Sequence, residues 1–395
     1  MDGKQWIHGC VLVLTLAMAA HATTFFVNAS TGNDSNPGTS PAKPFLTIQK
    51  AINQAALRPG SEMIHIAAGQ YGENLSICDT DQLTLSGSSG AELVASSASD
   101  AIKITSGDIS ISDLVIADGN KGISADSSAG PVSLSLRDSV VRDNAGDGLN
   151  AANVASVSVS QCEFRANGGA AIKVQSAEDL SISHSVLELN TGRGIRADDV
   201  EDVSVSNCQI LNNNDDGMKV VTKKMNPADA SLSVLNTIVS GNYDDGIDLE
   251  ALGDIRLVNV EIEGTVSDDG LSVDDSASVS VTNCTLSNNA ADGLDMDDTP
   301  SISVVNVEST GNGDSGFDVT AEDVNIESVS IVNSEFLGNG LDGVWIGEEN
   351  AVVEQAGLTH VTASNNGESG LDITITGTLR LTAITSEGNG APDIL

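Results

Sequence analysis

Apolar and polar residues alternate in short runs along most of the chain, and these runs recur at a nearly constant spacing. Segments such as Gly-Ile-Asp-Leu at 246–249 and Val-Ser-Val-Ser at 203–206 have the period of two that a β-strand requires. A small residue, nearly always Gly, precedes one such run in each repeat, and the commonest step between successive copies is 23 residues. The eleven positions are Gly122, Gly148, Ala171, Gly194, Gly217, Gly246, Gly270, Gly293, Gly316, Gly343 and Gly370. This repeat predicts a β-solenoid, in which each coil stacks on the coil before it.

Stacking of this kind turns residues one repeat apart into neighbours about 4.8 Å apart. Asn stands four residues before the small residue in nine of the eleven repeats, and Val266 interrupts the series. The nine are Asn144, Asn167, Asn190, Asn213, Asn242, Asn289, Asn312, Asn339 and Asn366. Because Asn tolerates left-handed backbone angles and stacked amides bond to one another, we predict a structural Asn ladder at a bend of the coil.

The sequence therefore predicts an all-β chain, a single-domain parallel β-helix of about 23 residues per coil. Aromatic residues make up only 3% of the chain, which suits a narrow core of stacked aliphatic side chains rather than a broad globular core. We divide the chain into a signal peptide at 1–22, an N-terminal cap with the first coils at 23–98, and parallel β-helix repeats at 99–395.

The N-terminal segment predicts export. Lys4 precedes an apolar stretch from residue 11 to 20, and Ala20-His21-Ala22 places small residues where a signal peptidase reads them. We expect cleavage after Ala22 and a secreted, extracellular protein. A membrane anchor is the alternative, but this apolar run is too short to span a bilayer.

Residues 26–71 carry a further set of motifs. They are Phe26-Val27-Asn28, the stretch from Gly32 to Thr39, the stretch from Pro44 to Ile52, and Gly69-Gln70-Tyr71. This segment resembles the N-terminal cap of secreted right-handed parallel β-helix proteins, including the family-nine polysaccharide lyases, which are pectate lyases and their relatives. The residues also predict a cap by themselves, since a helix starting near Thr47 would place Ile48, Ala51, Ile52 and Ala55 on one face, over the open end of the first coil.

The chain is strongly acidic, with a formal net charge of −39. From residue 226 onward the basic residues are Arg256 and Arg380 alone. Such a surface repels nucleic acid and anionic membranes, so we expect neither as a partner and we expect a monomer. Solubility in a saline or Ca²⁺-rich habitat is one explanation of the acids.

The acids are nevertheless concentrated at the turn before the small residue. Asp215-Asp216, Asp244-Asp245 and Asp268-Asp269 occupy this turn in three consecutive repeats. Stacked carboxylates about 5 Å apart repel one another unless a cation lies between them. Ca²⁺ prefers oxygen ligands of this kind, so the sequence predicts a calcium site here.

The position two residues after the small residue forms an outward column, which we call the site column. It reads Ser124, Asn150, Lys173, Arg196, Lys219, Asp248, Ser272, Asp295, Asp318, Trp345 and Asp372. Its three consecutive cations border the densest group of carboxylates. We expect Lys173 and Arg196 to bind the acidic groups of a substrate, although these cations could instead form surface ion pairs of little energetic consequence.

The resemblance to the family-nine lyases extends to this region. Those enzymes hold Ca²⁺ with an Asp-Asp-x-x-Asp stretch and an Asp of the preceding coil, and they use a Lys as the base. Asp244, Asp245 and Asp248 match the stretch, and Asp215 lies one coil earlier, so the resemblance implies that these four residues bind Ca²⁺. The family's Lys follows its Asp cluster, whereas this chain has no Lys after Lys224. Lys219, or an Arg such as Arg196, would then have to replace it as the catalytic group.

We therefore expect a protein that binds acidic polysaccharide and cleaves it by Ca²⁺-assisted β-elimination. In that reaction Lys219, its pKa lowered by a neighbouring cation such as Arg196, would remove the C5 proton of a uronate. Epimerisation at C5 begins with the same step. The alternative is a non-catalytic Ca²⁺-binding extracellular protein with a structural, adhesive or glycan-binding role, so whether the chain is an enzyme stays open.

Overall fold

The computed structural model describes residues 23–58, 60–222, 230–321, 324–347 and 352–394. The predicted signal peptide at 1–22 lies outside the described residues. Within them the chain forms one helix and 39 strands. The strands coil into a parallel β-solenoid of about 14 turns with about 23 residues per turn, as the repeat predicted.

The coils build three faces. The strands form a 25-stranded sheet, which makes up two of the faces, and a 14-stranded sheet, which makes up the third. The first face of the larger sheet carries the site column; its strands are Leu75–Ile77, Ile102–Ile104, Ile123–Asp126, Leu149–Ser160, Ile172–Ser183, Ile195–Ser206, Met218–Val221, Ile247–Glu250, Leu271–Asp274, Leu294–Asp297, Phe317–Thr320, Val344–Ile346 and Leu371–Ile373.

The second face belongs to the same sheet, because three long strands of the first face also run through it: Leu149–Ser160, Ile172–Ser183 and Ile195–Ser206. Its other strands are Thr23–Val27, Ser61–Ile66, Gln82–Gly87, Gly107–Ser112, Val132–Arg137, Ser231–Leu235, Asp254–Val258, Ser278–Thr282, Ser301–Val305, Ser328–Val332, Gln355–Thr359 and Thr378–Thr382. The third face is the smaller sheet.

The strands of the third face are mostly three residues long. They are Gly69–Tyr71, Ala91–Val94, Val115–Ala117, Val140–Arg142, Glu163–Arg165, Val186–Glu188, Gln209–Leu211, Ile238–Ser240, Glu261–Glu263, Thr285–Ser287, Glu308–Thr310, Glu335–Leu337, Thr362–Ser364 and Thr385–Glu387. Both sheets continue across residue 98, so the cap and the repeats share one core.

Side-chain alternation decides which residues fill that core. Ile247 and Leu249 are fully buried, whereas Asp248 between them points outward and is partly exposed. The same alternation recurs along each face, so aliphatic side chains stack on their counterparts in adjacent coils. The outward positions are thereby left free for polar chemistry.

The N-terminal cap contains the predicted helix, Ile48–Ala55. Thr47 is its N-cap and accepts a hydrogen bond from the Lys50 backbone N–H, which satisfies a donor that the first turn would leave unpaired. The buried residues of the helix are Ile48, Ala51, Ile52 and Ala55, as predicted. No helix within the described ranges is both long enough and apolar enough to cross a membrane.

The predicted Asn ladder is present and buried. Asn190 Nδ2 donates to Asn213 Oδ1 over 2.9 Å, and Asn213 Nδ2 donates to Asn242 Oδ1 over 3.0 Å. Two details differ from the prediction. The left-handed residue is the one before each ladder Asn, for example Asn212 with φ 53°. Thr265, whose N–H donates to Asn289 Oδ1, occupies the interrupted position, while Val266 is exposed.

Replacement of Asn213 by Ala tests the ladder. The change leaves the buried Asn190 N–H without an acceptor inside the protein and removes one acceptor of the Asn190 side-chain amide, so we expect the free energy of unfolding to fall by about 2 kcal/mol. Equilibrium urea unfolding measures it. Asn236→Gly is the control, because Asn236 belongs to a second, exposed Asn ladder and has a left-handed backbone with φ 49° that Gly adopts without strain, so the change should cost less than about 0.5 kcal/mol. Equal losses in the two variants would contradict a role for burial.

Candidate functional site

The site column has the predicted register. Lys173 pairs with Arg196, Arg196 with Lys219, and Lys219 with Asp248 in adjacent strands of the first face. Each of these side chains is partly exposed, since its neighbours in the strand are the buried aliphatic residues. The structure thus forms a continuous row of three cations that ends at a carboxylate.

The Asp directly before the small residue has a structural role that the sequence did not reveal. Asp245 Oδ1 accepts a hydrogen bond from the N–H of Asp269 over 3.0 Å, and Asp269 Oδ1 accepts one from the N–H of Asp292 over 2.7 Å. Asp147 and Asp342 make the equivalent bond to the next coil. This repeated bond explains part of the Asp column without a metal, but it occupies one oxygen of each carboxylate.

The acidic residues form three groups, each with carboxylate oxygens within 4.8 Å of one another. The groups are Asp215, Asp216 and Asp244; Asp216, Asp245 and Asp248; and Asp245, Asp268 and Asp269. Among the described residues, no such group contains all four predicted calcium ligands. The first holds Asp215 and Asp244, the second holds Asp245 and Asp248, and Asp216 joins the two. The sequence pattern already contained Asp216, Asp268 and Asp269 as members of the three Asp pairs, but the assignment of ligands left them out.

Cations already neutralise part of this cluster. Arg193, which sequence reasoning missed, lies 2.5 Å from Asp216 and 3.3 Å from Asp215. Lys219 forms an ion pair with Asp248. In contrast, Asp245, Asp268 and Asp269 have no ion pair within the part of the chain that the structure describes. The third group is therefore the one with the most uncompensated negative charge.

The predicted lowering of the Lys219 pKa is wrong. Burial alone would lower the pKa, but the hydrogen bond and charge of Asp248, together with the charge of Asp216, outweigh it and raise the Lys219 pKa. The neighbouring cation that opposes this rise is Arg193 and not Arg196. Arg196 instead pairs with Asp198 over 2.8 Å. Lys219 is thus protonated at neutral pH in this structure.

The remaining cation of the row is differently placed. Lys173 has no ion pair among the described residues, and its partners in register are Asn150 and Arg196. An ammonium group without a carboxylate partner is available to an acidic ligand. Of the three cations in the site column, Lys173 is therefore the one that an acidic ligand can bind without first breaking an ion pair among the described residues.

Burial and like charge strongly perturb the acids. Burial, reinforced by the charges of Asp268 and Asp248, raises the pKa of Asp245 to about 8. Burial likewise raises the pKa of Asp269 to about 7. A carboxylate that is buried beside other carboxylates favours either a proton or a cation. The cluster therefore has the electrostatics of a cation site.

The donor set fits Ca²⁺. Oxygen ligands about 2.3–2.6 Å from one ion lie at most about twice that distance apart, which is the spread seen within each group. All the donors are carboxylate oxygens, and no His or Cys takes part in the three groups. Hard oxygen donors favour Ca²⁺ over the softer transition metals.

Two further acids occupy the site column toward the C-terminus. Asp295 and Asp318 are partners in adjacent strands, and Oδ1 of Asp318 is enclosed with no hydrogen-bond partner in the structure. Burial, with the charges of neighbouring acids, raises the pKa of each to about 8. This end of the column therefore carries carboxyl groups that hold protons near neutral pH.

Known structures share this architecture. Two A-modules of mannuronan C-5 epimerases from Azotobacter vinelandii superpose with TM-scores of 0.56 and 0.54, at 13% and 16% identity, covering 87% and 94% of this chain and 94% and 97% of theirs. A pectate lyase shares 11% identity over 94% of this chain and 80% of its own, with a TM-score of 0.39. No curated protein matches the sequence.

The sequence itself matches a protein family. The family described as "Right handed beta helix region" matches residues 100–259 and 225–329, which together span more than half of the chain. Its handedness agrees with the parallel solenoid of the structure and with the expectation from the N-terminal cap. The protein therefore belongs to the family of right-handed parallel β-helix proteins.

Proposed function

We propose that the protein binds an acidic polysaccharide along the first face of the solenoid, with Ca²⁺ at the acidic cluster, and removes the C5 proton of a bound uronate. The observation that supports this most is the unbroken row Lys173, Arg196 and Lys219, which runs directly into the carboxylates around Asp248. In a chain of net charge −39, three stacked cations beside a cation-binding cluster form a distinct anion site. The architecture it shares with epimerase modules is consistent with a polysaccharide ligand.

The row sets the direction of the polymer. Coils stack about 4.8 Å apart, so Lys173 to Lys219 spans about 10 Å along the axis of the solenoid. A polymer lying along this axis would place successive acidic groups against successive cations. Lys173 would bind one sugar carboxylate. Arg196 can bind a second sugar carboxylate while it holds Asp198, because its guanidinium carries several donors.

Ca²⁺ would be held by Asp245 together with Asp268 and Asp269, or with Asp216 and Asp248. When bound, it would neutralise the carboxylate of the sugar and so make the adjacent C5 proton more acidic. Asp245 is common to both sets. The sequence predicted Asp215, Asp244, Asp245 and Asp248 as the ligands. The two sets together reach one coil further toward the C-terminus than that prediction.

Lys219 is the residue of this chain best placed to accept the C5 proton, because it stands in the site column between Arg196 and the acidic cluster. It can do so only as the neutral amine, so its ion pair with Asp248 must first break and its ammonium must release a proton to solvent. The pair opposes this release because it raises the Lys219 pKa. Arg196 serves as the positioning cation for the sugar carboxylate. β-Elimination and C5 epimerisation both follow from this first step.

The Lys219–Asp248 ion pair also favours a second candidate, glycan binding without cleavage. In that case Lys219 acts as a cation of the binding row and never loses its proton. The two candidates differ in whether bound uronates lose their C5 hydrogen. NMR of a polyuronate incubated with the protein in deuterated buffer detects that loss, as deuterium at C5 after epimerisation or as a C4–C5 double bond after β-elimination. The first candidate requires one of these products and the second excludes both.

Binding is tested with Lys173→Ala. We expect this change to weaken the affinity for hexasaccharides of galacturonate or mannuronate about tenfold, because it removes the unpaired ammonium of the row. Isothermal titration calorimetry measures the affinity, and rising salt should weaken wild-type binding. Arg256→Ala is the control, since Arg256 is an exposed cation on the second face. Equal weakening in both variants, or no uronate binding by the wild type, would contradict the proposed face.

A further inference from the structure

Trp345 stands in the site column, far from the cations. Its strand neighbours Val344 and Ile346 are fully buried, so the indole lies on the outward side of the first face and is partly exposed. It pairs in register with Asp318 on one side and Asp372 on the other. No ring stacking or cation–π contact involves Trp345 in the described structure, so no aromatic or cationic side chain there competes with a ligand for the indole.

We propose that Trp345, Asp318 and Asp372 form a subsite for an uncharged sugar residue. This inference rests on the proposed function, because it assigns to the same polysaccharide a second point of attachment on the same face. The polymer would then contain neutral sugars as well as uronates.

The chemistry of the three side chains suits a sugar ring. The C–H face of a pyranose packs against an aromatic ring, and its hydroxyl groups donate hydrogen bonds to carboxylates. Asp318 and Asp372 lie in register with Trp345, one coil or about 4.8 Å away on either side, so a carboxyl acceptor neighbours Trp345 in each adjacent coil. An aromatic platform between two acceptors orients a ring as well as binding it.

Charge selects against a uronate at this subsite. The nearest members of the site column are Asp295, Asp318 and Asp372, and its cations all lie on the other side of Asp248. Arg256 and Arg380, the basic residues of this half of the chain, lie in strands of the second face. A sugar carboxylate over Trp345 would therefore find no cation and would lie beside carboxyl groups whose ionisation it opposes.

The spacing of the two sites constrains the polymer. Trp345 is five coils beyond Lys219, about 24 Å along the axis of the solenoid. An oligosaccharide of a few residues would reach one site or the other, whereas a longer chain would occupy both. A polymer with interspersed acidic and neutral sugars is the ligand class that fits both sites.

Fluorescence tests this inference. The chain has two tryptophans, so a Trp6→Phe background leaves Trp345 as the single indole. The probes are neutral hexasaccharides of glucose, mannose, galactose and xylose, and the uronate hexasaccharides used above. We expect at least one neutral hexasaccharide to protect Trp345 from acrylamide quenching, and Trp345→Ala to weaken binding of that sugar about tenfold in calorimetry. The uronates should give no protection.

Two variants sharpen the result. Asp318→Asn with Asp372→Asn removes both ionisable carboxyl groups and retains acceptors, so uronate hexasaccharides should begin to protect Trp345. Lys173→Ala should leave protection by the neutral sugar unchanged. Protection by none of the neutral probes, or by uronates alone in the unmodified column, would overturn the subsite. A wild-type protein that binds no uronate hexasaccharide while a neutral one still protects Trp345 would instead overturn the proposed function, so the two failures are distinguishable.

Discussion

Calcium is expected to raise the melting temperature of this protein by about 5–10 °C at a large excess over its dissociation constant. Asp216, Asp245 and Asp269 are nearly buried, with 1%, 8% and 8% of their surfaces exposed, and they lie beside further carboxylates. In the unfolded chain these residues are hydrated and separated, so the ion binds the folded state preferentially. A thousandfold excess of ligand stabilises the folded state by about 4 kcal/mol. Thermal melting followed by circular dichroism measures the shift.

Asp245→Asn should remove most of this calcium response. Asp245 belongs to two of the three carboxylate groups, so its loss affects both. The Asn side chain keeps an oxygen that can accept the hydrogen bond from the Asp269 N–H. Asp254→Asn is the control, since Asp254 is an exposed acid on the second face and should leave the response intact. If calcium does not move the wild-type transition, or if both variants respond alike, the acids are explained by solubility and by their backbone hydrogen bonds.

The calcium-free protein is expected to lose stability as the pH rises from about 5 to about 9, by roughly 10 °C in melting temperature. Asp295 and Asp318 bind protons more tightly in the folded state, where burial raises the pKa of each to about 8, than in the unfolded state, where it is near 3.8. For an acid with a raised pKa, the stabilising contribution is complete below the unfolded value and is lost progressively as the pH rises to the folded value, because over that window only the folded state holds the proton. The loss should therefore accumulate from about pH 5 upward and level off above about pH 8.

Asp318→Asn should flatten that dependence. The amide cannot ionise, so the variant should melt at a higher temperature than the wild type near pH 9 and close to it near pH 5. Asp108→Asn, on the second face, is the control and should keep the wild-type slope. A wild-type transition that rises with pH over this range would contradict the assignment of these two carboxyl groups.

The fold could be predicted from the sequence because a solenoid repeats the same residue pattern in successive coils. Gly246 and Gly270 have the same environment one coil apart, and a Cβ at Gly246 would lie 2.5 Å from the Gly270 carbonyl oxygen. The small residue is thus required by the close approach of adjacent coils, which a 23-residue period makes visible. The buried face of the helix was equally predictable, since its 3.6-residue period places Ile48 and Ile52 together.

The candidate site was less predictable. The position of a residue in the repeat predicts which residues lie beside it in adjacent coils, but it does not predict which of them forms an ion pair with it. The register of Lys173, Arg196 and Lys219 follows from the repeat, and the structure has it. Whether Lys219 turns to Arg196 or to Asp248 depends on side-chain rotamers and local burial. Arg193 was missed for a related reason, since it lies in the turn beside the site column, where the other repeats mostly carry acids or small residues.

The most direct measurement of the proposed function is a crystal structure of the protein with Ca²⁺ and a uronate hexasaccharide. We predict a cation bound by Asp245 with carboxylates of an adjacent coil, and sugar carboxylates against Lys173 and Arg196 along the first face. We also predict that Lys219 has left Asp248 if the protein removes the C5 proton. A saccharide bound on another face, or a carboxylate cluster that holds no cation at saturating calcium, would contradict the proposed function.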